Sequence, residues 1–490
     1  MTEPTGSRPR RPLSALTVVL AVGFAISLAL AVIFGVSLQV ARERIDELEE
    51  RVEAGGGGGG DGGGDPLEDL LEGVFGEGEN PLEDLGGGLV GCIGSGALGG
   101  ETAQVPEGAP AEQVRALAEE VEQIRELEFR EPVTPRFLGD EDIERRVREL
   151  FLEDYTPSVA DRESRILTAL GAIPPGLDMT EVRARALGGS VAGFYVPETG
   201  ELVVRSSGDL GPIEWVTLVH ELDHALTDQV LDLPVPDELE PGREDSDLAA
   251  LAAVEGDATL AMQRYSSSLP FDQQFGLLDP EAIAEAEAGL AGMPYILEQE
   301  LLFPYEDGLA FACHLYGNGG WEAVDRAYDD PPTTTAQVLF PERYTEGEEA
   351  LDPRDTGRLL GPWRLASTHQ LGAATFMWLL EAPGGDPARA LDDPRAGAAA
   401  WGGGELRLWT RGQASAVGIS LAERRGHDVL CTAVSRWYAA AFPQAEPRGS
   451  ALRRDLVLDG PAQDASLVCD GDEVRLGIGP DVATARRLSR

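Results

Sequence analysis

The 490-residue sequence predicts an α+β protein. It reads as one N-terminal transmembrane helix, then a mainly helical domain with a small β-sheet, then a C-terminal α+β module. Three observations lead there. Leu13 to Val40 is an almost unbroken apolar run. Between residues 105 and 400 apolar residues recur three and four positions apart, the spacing of one helix face. After about Ala400, short β-rich runs and Gly-bearing turns alternate with short helices.

Residues 1–12 are expected to be a cytoplasmic tail. Residues 13–40 follow as a signal anchor, since a membrane span needs about 20 apolar residues. Gln39 stands where a cleavage site near Ala41 would want a small residue, so the segment is expected to stay on the chain. Arg8, Arg10 and Arg11 precede it, which holds the N-terminus in the cytoplasm and sends everything after residue 40 outside the cell membrane.

Residues 41–104 read as a short coiled coil and a Gly-rich acidic linker. Leu38, Ala41, Ile45, Leu48 and Val52 keep a 3-4 spacing, so residues 38–52 would support a weak homodimer. From Ala54 to Glu101 the glycines make a tether. "PLEDL" occurs in it twice, at 66–70 and 81–85, as a docking motif or as transient helical turns.

The formal charge of −47 rests on 86 acidic against 39 basic residues, and every basic residue is arginine. Such a chain cannot neutralise phosphates in bulk, so nucleic acid is excluded as a partner. Most of the acidity is expected to serve solubility or tolerance of salt.

Within 105–400, "AEQVRALAEEVEQIREL" and "DEDIERRVRELFLEDY" are helices. "VAGFYVPETGELVVRS" (191–206) is a β-hairpin turning at "PETG". A helix runs from about Ile213 through "TLVHELDHALTDQ", and another from Asp247 to about Tyr265. Residues 275–400 look mainly helical, with a capping box at Thr334 and Gln337. Residues 401–490 hold the strands "ELRLWTR", "SAVGISLAE", "DLVLD" and "SLVCDGDEVRLGIG", with a helix at "HDVLCTAVSRWYAAAF" and a short last one. Cys431 and Cys469 fall in this module and are the preferred disulfide among Cys92, Cys313, Cys431 and Cys469.

"HELDH" carries the chemistry. Composition alone predicts only about 0.01 matches to H-E-x-x-H in such a chain. On a helix, residues four apart share a face, so His220 and His224 can both reach one zinc ion (Zn2+). Glu221 lies near enough to serve as general base toward a water that zinc activates. A catalytic zinc wants a third protein ligand. Glu255 in "AVEGDAT" is the candidate, because a carboxylate on so apolar a stretch is costly unless paired or metal-bound. Asp257 is the runner-up, and two residues away on a helix it faces another side. Asp228, one turn past His224, is read either as its orienting carboxylate or as an exposed acid. His314, His369 and His427 are isolated; His314 or Tyr305 could stabilise an oxyanion, though no spacing marks either.

The segments "LGAIPPG", "VAGFYVPETGELVV", "LVHELDHALTDQ", "VEGDATLAMQRY", "FPYEDGLAF", "GGWEAVDRAYDDPPTTTAQVLFPERY" and "WGGGELRLW" occur in this order. Together they resemble a group of bacterial and archaeal zinc metallopeptidases of the gluzincin type, over roughly residues 112–445. The resemblance implies a zincin-like fold, His220, His224 and Glu255 as metal ligands and Glu221 as base. It also implies that the hairpin lies beside the motif helix and pairs with an extended peptide or protein substrate. Two departures stand out. Asp223 takes a position where such motifs prefer an uncharged residue, and "WGGGE" has its acid one place late. The expected activity is peptide-bond hydrolysis outside the membrane. The alternative is a non-catalytic envelope protein that keeps the fold and binds a partner.

Overall fold

The computed structural model describes Cys92 and residues 103–188, 193–197, 199–205, 210–234, 242–277, 284, 288–424, 428–448, 455–459 and 463–490. The expected anchor, coiled coil and "PLEDL" linker lie outside these residues. Among the described residues, no helix is long and apolar enough to cross a membrane.

The architecture is mixed α+β. The chain runs α1 (Pro110–Arg125), β1 (Pro135–Leu138), α2 (Asp140–Asp154), α3 (Pro157–Ala169), α4 (Met179–Gly188), β2 (Gly193–Val196) and β3 (Glu201–Arg205). Then come α5 (Pro212–Val230), α6 (Glu244–Ser268), α7 (Phe271–Gly276), α8 (Tyr295–Asp329), α9 (Thr335–Leu339), α10 (Pro341–Thr345), β4 (Arg364–Gln370), α11 (Ala373–Glu381) and α12 (Pro394–Ala400). The last part holds β5 (Trp401–Arg411), β6 (Ala414–Glu423), α13 (Val429–Ala441), β7 (Glu446–Arg448), β8 (Asp455–Asp459), β9 (Asp464–Asp470), β10 (Glu473–Gly479) and α14 (Val482–Leu488).

Two sheets result. The small one has the order β1-β3-β2. Its β2–β3 hairpin is antiparallel, with Tyr195 opposite Leu202, and β1 joins β3 in parallel. The large sheet has seven strands in the order β4-β5-β6-β10-β9-β8-β7. It begins upstream of residue 400, because β4 pairs with β5. One apolar core runs from Ile143 and Phe303 through Trp378 to Leu408, Val417 and Leu476. A second joins Val114, Leu117 and Val121 of α1 to Tyr195, Leu202, Trp215, Val219 and Met262. This second core holds the motif helix between α1 and the small sheet.

Three strands, β1, β4 and β7, escape the sequence reading, and residues 275–400 are mainly helical, as expected, but also carry β4. β1 is four residues long, and β4, "RLASTHQ", is an edge strand whose exposed positions erase the alternation that marks a half-buried strand. Residues 348–363 are neither helix nor strand. The capping box at α9 is shifted by one residue. Thr334 Oγ accepts from Gln337 N, but the Gln337 side chain accepts from the backbone N–H of Thr333.

Each helix of the site has a local reason to start where it does. Pro212 opens α5, and the Glu214 carboxylate accepts the Gly211 backbone N–H at 2.8 Å, satisfying a donor that the first turn leaves bare. Glu244, Asp245 and Asp247 crowd the first turn of α6, where the helix dipole favours negative charge. α6 and α8 meet backbone to backbone. A Cβ on Gly256 would lie 2.1 Å from the Gly308 carbonyl oxygen, and one on Gly308 2.3 Å from that of Ala252. Only glycines permit this approach, which brings α8 against the stretch of α6 that carries Glu255.

Candidate metal centre

His220, Glu221 and His224 sit in the part of α5, Trp215 to Thr227, that is buried throughout. Glu255 stands at the middle of α6, also fully buried. The packing of these helices brings three donor atoms together. His220 Nε2 lies 3.1 Å from Glu255 Oε2, His224 Nε2 lies 3.0 Å from His220 Nε2, and 3.4 Å separates His224 Nε2 from Glu255 Oε2. Donors bound tetrahedrally to one zinc at roughly 2.0–2.2 Å are about 3.3 Å apart. Two imidazoles and a carboxylate also make a donor set typical of catalytic zinc. Among the described residues this is the one group of three or more His, Cys, Asp or Glu placed to hold a metal ion.

The electrostatics suit a cation. Burial works against charge on all three. It pushes the His220 imidazolium down to about 4. Burial also opposes the charged form of His224, but Glu255, Glu221 and Asp223 outweigh it and raise that pKa to about 9. For Glu255 the two histidines overcome burial, and its pKa is lowered. Three donors thus hold one another in place of water, with the negative charge kept on Glu255.

Glu221 is held from the small sheet. Its Oε2 accepts the backbone N–H of Tyr195 on β2 at 2.8 Å, while Oε1 is buried without a hydrogen-bond partner. Burial, then the negative charge of Glu255, push its pKa up to about 8. The hairpin does lie beside the motif helix, as the resemblance implied. At Tyr195, though, the outward N–H of β2 is taken by Glu221.

The runner-up ligand goes elsewhere. Asp257 Oδ2 bonds to Arg125 Nη2 at 2.9 Å and accepts the Tyr328 hydroxyl at 2.7 Å. Two residues on a helix are about 200° apart, so the backbone that aims Glu255 at the histidines aims Asp257 away. Asp223, out of place in the motif by its charge, meets the same guanidinium: Arg125 Nε lies 3.0 Å from its Oδ1. Burial and the neighbouring Asp257 push the Asp223 carboxyl up to about 7, against the pull of Arg125. Asp325 of α8 completes the group at 2.8 Å, and the guanidinium lies 4.1 Å over the Trp321 ring.

Arg125 is the residue that sequence reasoning missed. A signal was present: it follows Val114, Leu117 and Val121 on the buried face of α1, where a cation needs partners. Asp228 does not orient His224; its Oδ2 accepts the Tyr195 hydroxyl at 2.7 Å. Tyr305 of α8 is buried, with its ring 6.1 Å from that of His220, and burial and the nearby Glu255 push its hydroxyl pKa up. His314 lies nine residues further along α8, about 13 Å up the axis. His369 is occupied on β4, with Nε2 2.7 Å from Ser367 Oγ and Nδ1 bonded to Glu244. His427 lies outside the described residues.

All four cysteines are paired. Cys431–Cys469 forms as expected, with Cα atoms 6.0 Å apart, and Cys92 is bonded to Cys313 of α8, 5.5 Å between Cα atoms. Comparisons with family models, with curated proteins and with solved structures return no match for this chain.

Proposed function

We propose that this chain is a zinc-dependent peptidase of zincin-like fold and gluzincin type, anchored in the cell membrane by residues 13–40 with its catalytic domain outside. The convergence of His220, His224 and Glu255 within 3.4 Å of one another, with Glu221 alongside, carries the reading. The two disulfides support the export half of it, because such bonds persist in oxidising compartments.

His220, His224 and Glu255 would hold the ion. Zinc bound there supplies Lewis-acid polarisation of a peptide carbonyl and acidifies a water. The chain's own contribution lies in Glu221. Its Oε1 is the unpartnered oxygen and takes the water's proton, while the Tyr195 N–H fixes Oε2 and so the direction of the carboxylate. The same carboxyl then returns the proton to the departing amine. A cation among the three donors favours the ionised form of Glu221, offsetting the burial that raises its pKa.

The test separates base from ligands. His220→Ala or His224→Ala removes most bound zinc and all turnover; Glu255→Ala weakens zinc binding. Glu221→Gln keeps zinc but loses about 10²–10⁴ in rate. Metal content by mass spectrometry and cleavage of a peptide library read both. A wild-type chain that holds zinc but cleaves nothing would favour the binding-protein alternative, and one that holds no zinc would end the metal reading.

A further inference from the structure

We propose that Arg125 is a positioning residue for the metal centre. Its guanidinium, fixed between Asp223 of α5 and Asp257 of α6, sets the spacing of the two helices that carry the three donors. The proposal rests on the zinc reading above and adds to it a residue far from the motif in sequence.

The geometry is specific. Asp223 is the residue just before His224, and Asp257 is two beyond Glu255. Arg125 takes one carboxylate from each helix at 3.0 and 2.9 Å, by two different nitrogens of a rigid planar fork. Asp325 and Trp321 of α8 hold that fork from a third helix. The side chains of Arg125, Asp223 and Asp257 are fully buried.

Stability does not explain such a cluster. Desolvating buried ions costs so much that apolar side chains of similar volume often serve as well or better. Apolar packing lacks direction, though, and tolerates sliding. Charged contacts from two nitrogens of one planar fork, an ion pair to Asp223 and a hydrogen bond to Asp257, do not. A metal site needs its ligands held to within about 0.5 Å. A slide of α6 along α5 by one ångström would carry Glu255 out of its triangle with His220 and His224. The Arg125 bridge sits within two residues of those ligands and opposes that slide.

The experiment uses the full chain in detergent. In the triple variant Arg125→Met/Asp223→Asn/Asp257→Asn the three fully buried charges are removed together, and Asp325, whose side chain is 24% exposed, keeps access to water. Zinc affinity is measured by competition with a chromophoric chelator, and the metal-free melting temperature is measured beside it. The expected result is a 10–100-fold loss of zinc affinity, the scale of lost ligand support, at a nearly unchanged metal-free melting temperature. A purely structural role would not separate those two readouts. Should the triple variant fail to fold, Arg125→Lys decides by the same pair of readouts, since it keeps the charge but cannot bridge two carboxylates as a fork does. Wild-type affinity in the folded variant overturns the proposal while leaving the zinc reading standing. A wild-type chain without zinc affinity overturns both.

Discussion

The same two helices carry two polar clusters that answer burial in different ways. Around His220, His224 and Glu255, the donors have one another for partners. Around Arg125, the carboxylates of Asp223 and Asp257 close on a cation that the chain itself supplies. Both clusters gather acids on buried faces of α5 and α6, a residue or two apart. Acidic residues in an apolar helix therefore do not mark a metal ligand; what marks it is convergence on lone-pair donors with no guanidinium among them. Glu255 and Asp257, two positions apart, fall on opposite sides of that distinction.

The contrast is broken most severely by removing the built-in cation alone. Arg125→Ala leaves Asp223 and Asp257 buried and unpaired, and is expected to destabilise the fold by about 3–5 kcal/mol. His224→Ala at the other cluster should cost the metal-free fold far less while abolishing zinc binding. Urea unfolding with chelator present checks both. Equal losses would mean that the two clusters do the same work.

Gly256→Ala tests the contact that brings α8 against both. Its Cβ would meet the Gly308 carbonyl oxygen at 2.1 Å, so the helices must part, at about 1–3 kcal/mol. Weaker zinc binding should accompany the lower melting temperature. An unaltered melt would show that the two helices can separate freely at that point.

Metal-free protein should lose stability as pH rises from about 6.5 to 8. Burial raises Asp223 to about 7 and Glu221 to about 8, and the acids around His224, against burial, raise it to about 9. A raised pKa means the folded state binds more protons than the unfolded chain in this window, so unfolding gains ground as pH rises. The lowered His220 titrates below 6.5, where its contribution has the opposite sign, so the window excludes it. Thermal melts in chelator read the slope, and a melting temperature that climbs with pH would contradict the burial assigned to these groups.

The smallest effect is expected at the rim. Tyr195→Phe removes the hydrogen bond to Asp228, worth about 0.5–1.5 kcal/mol, and leaves the backbone N–H on Glu221 in place. Zinc affinity and turnover should stay near wild type. A large loss of either would give Asp228 a part in the centre that its geometry does not show.

Much of this was legible in one dimension because it is set by local geometry. Four-residue spacing on a helix puts His220 and His224 on one face whatever surrounds them. An acid on an apolar stretch needs a partner, which marks Glu255 and Asp257 alike. Period-two patterns around a turn place β2 and β3, and shared membership of one module pairs Cys431 with Cys469. Strands whose side chains do not alternate, β1 and β4, left no such trace. Other features depended on contacts between distant parts of the chain. Whether Glu255 or Asp257 faces the histidines depends on how α6 is rotated against α5, and the close approach of α6 and α8 at Gly256 and Gly308 helps to set that rotation. Asp223 reads as a flaw in the motif until α1, about 100 residues earlier, delivers Arg125 to it. Spacing along one helix fixes angles about its axis, whereas partners across helices follow from the packing of every buried side chain, and that sum has no local signature.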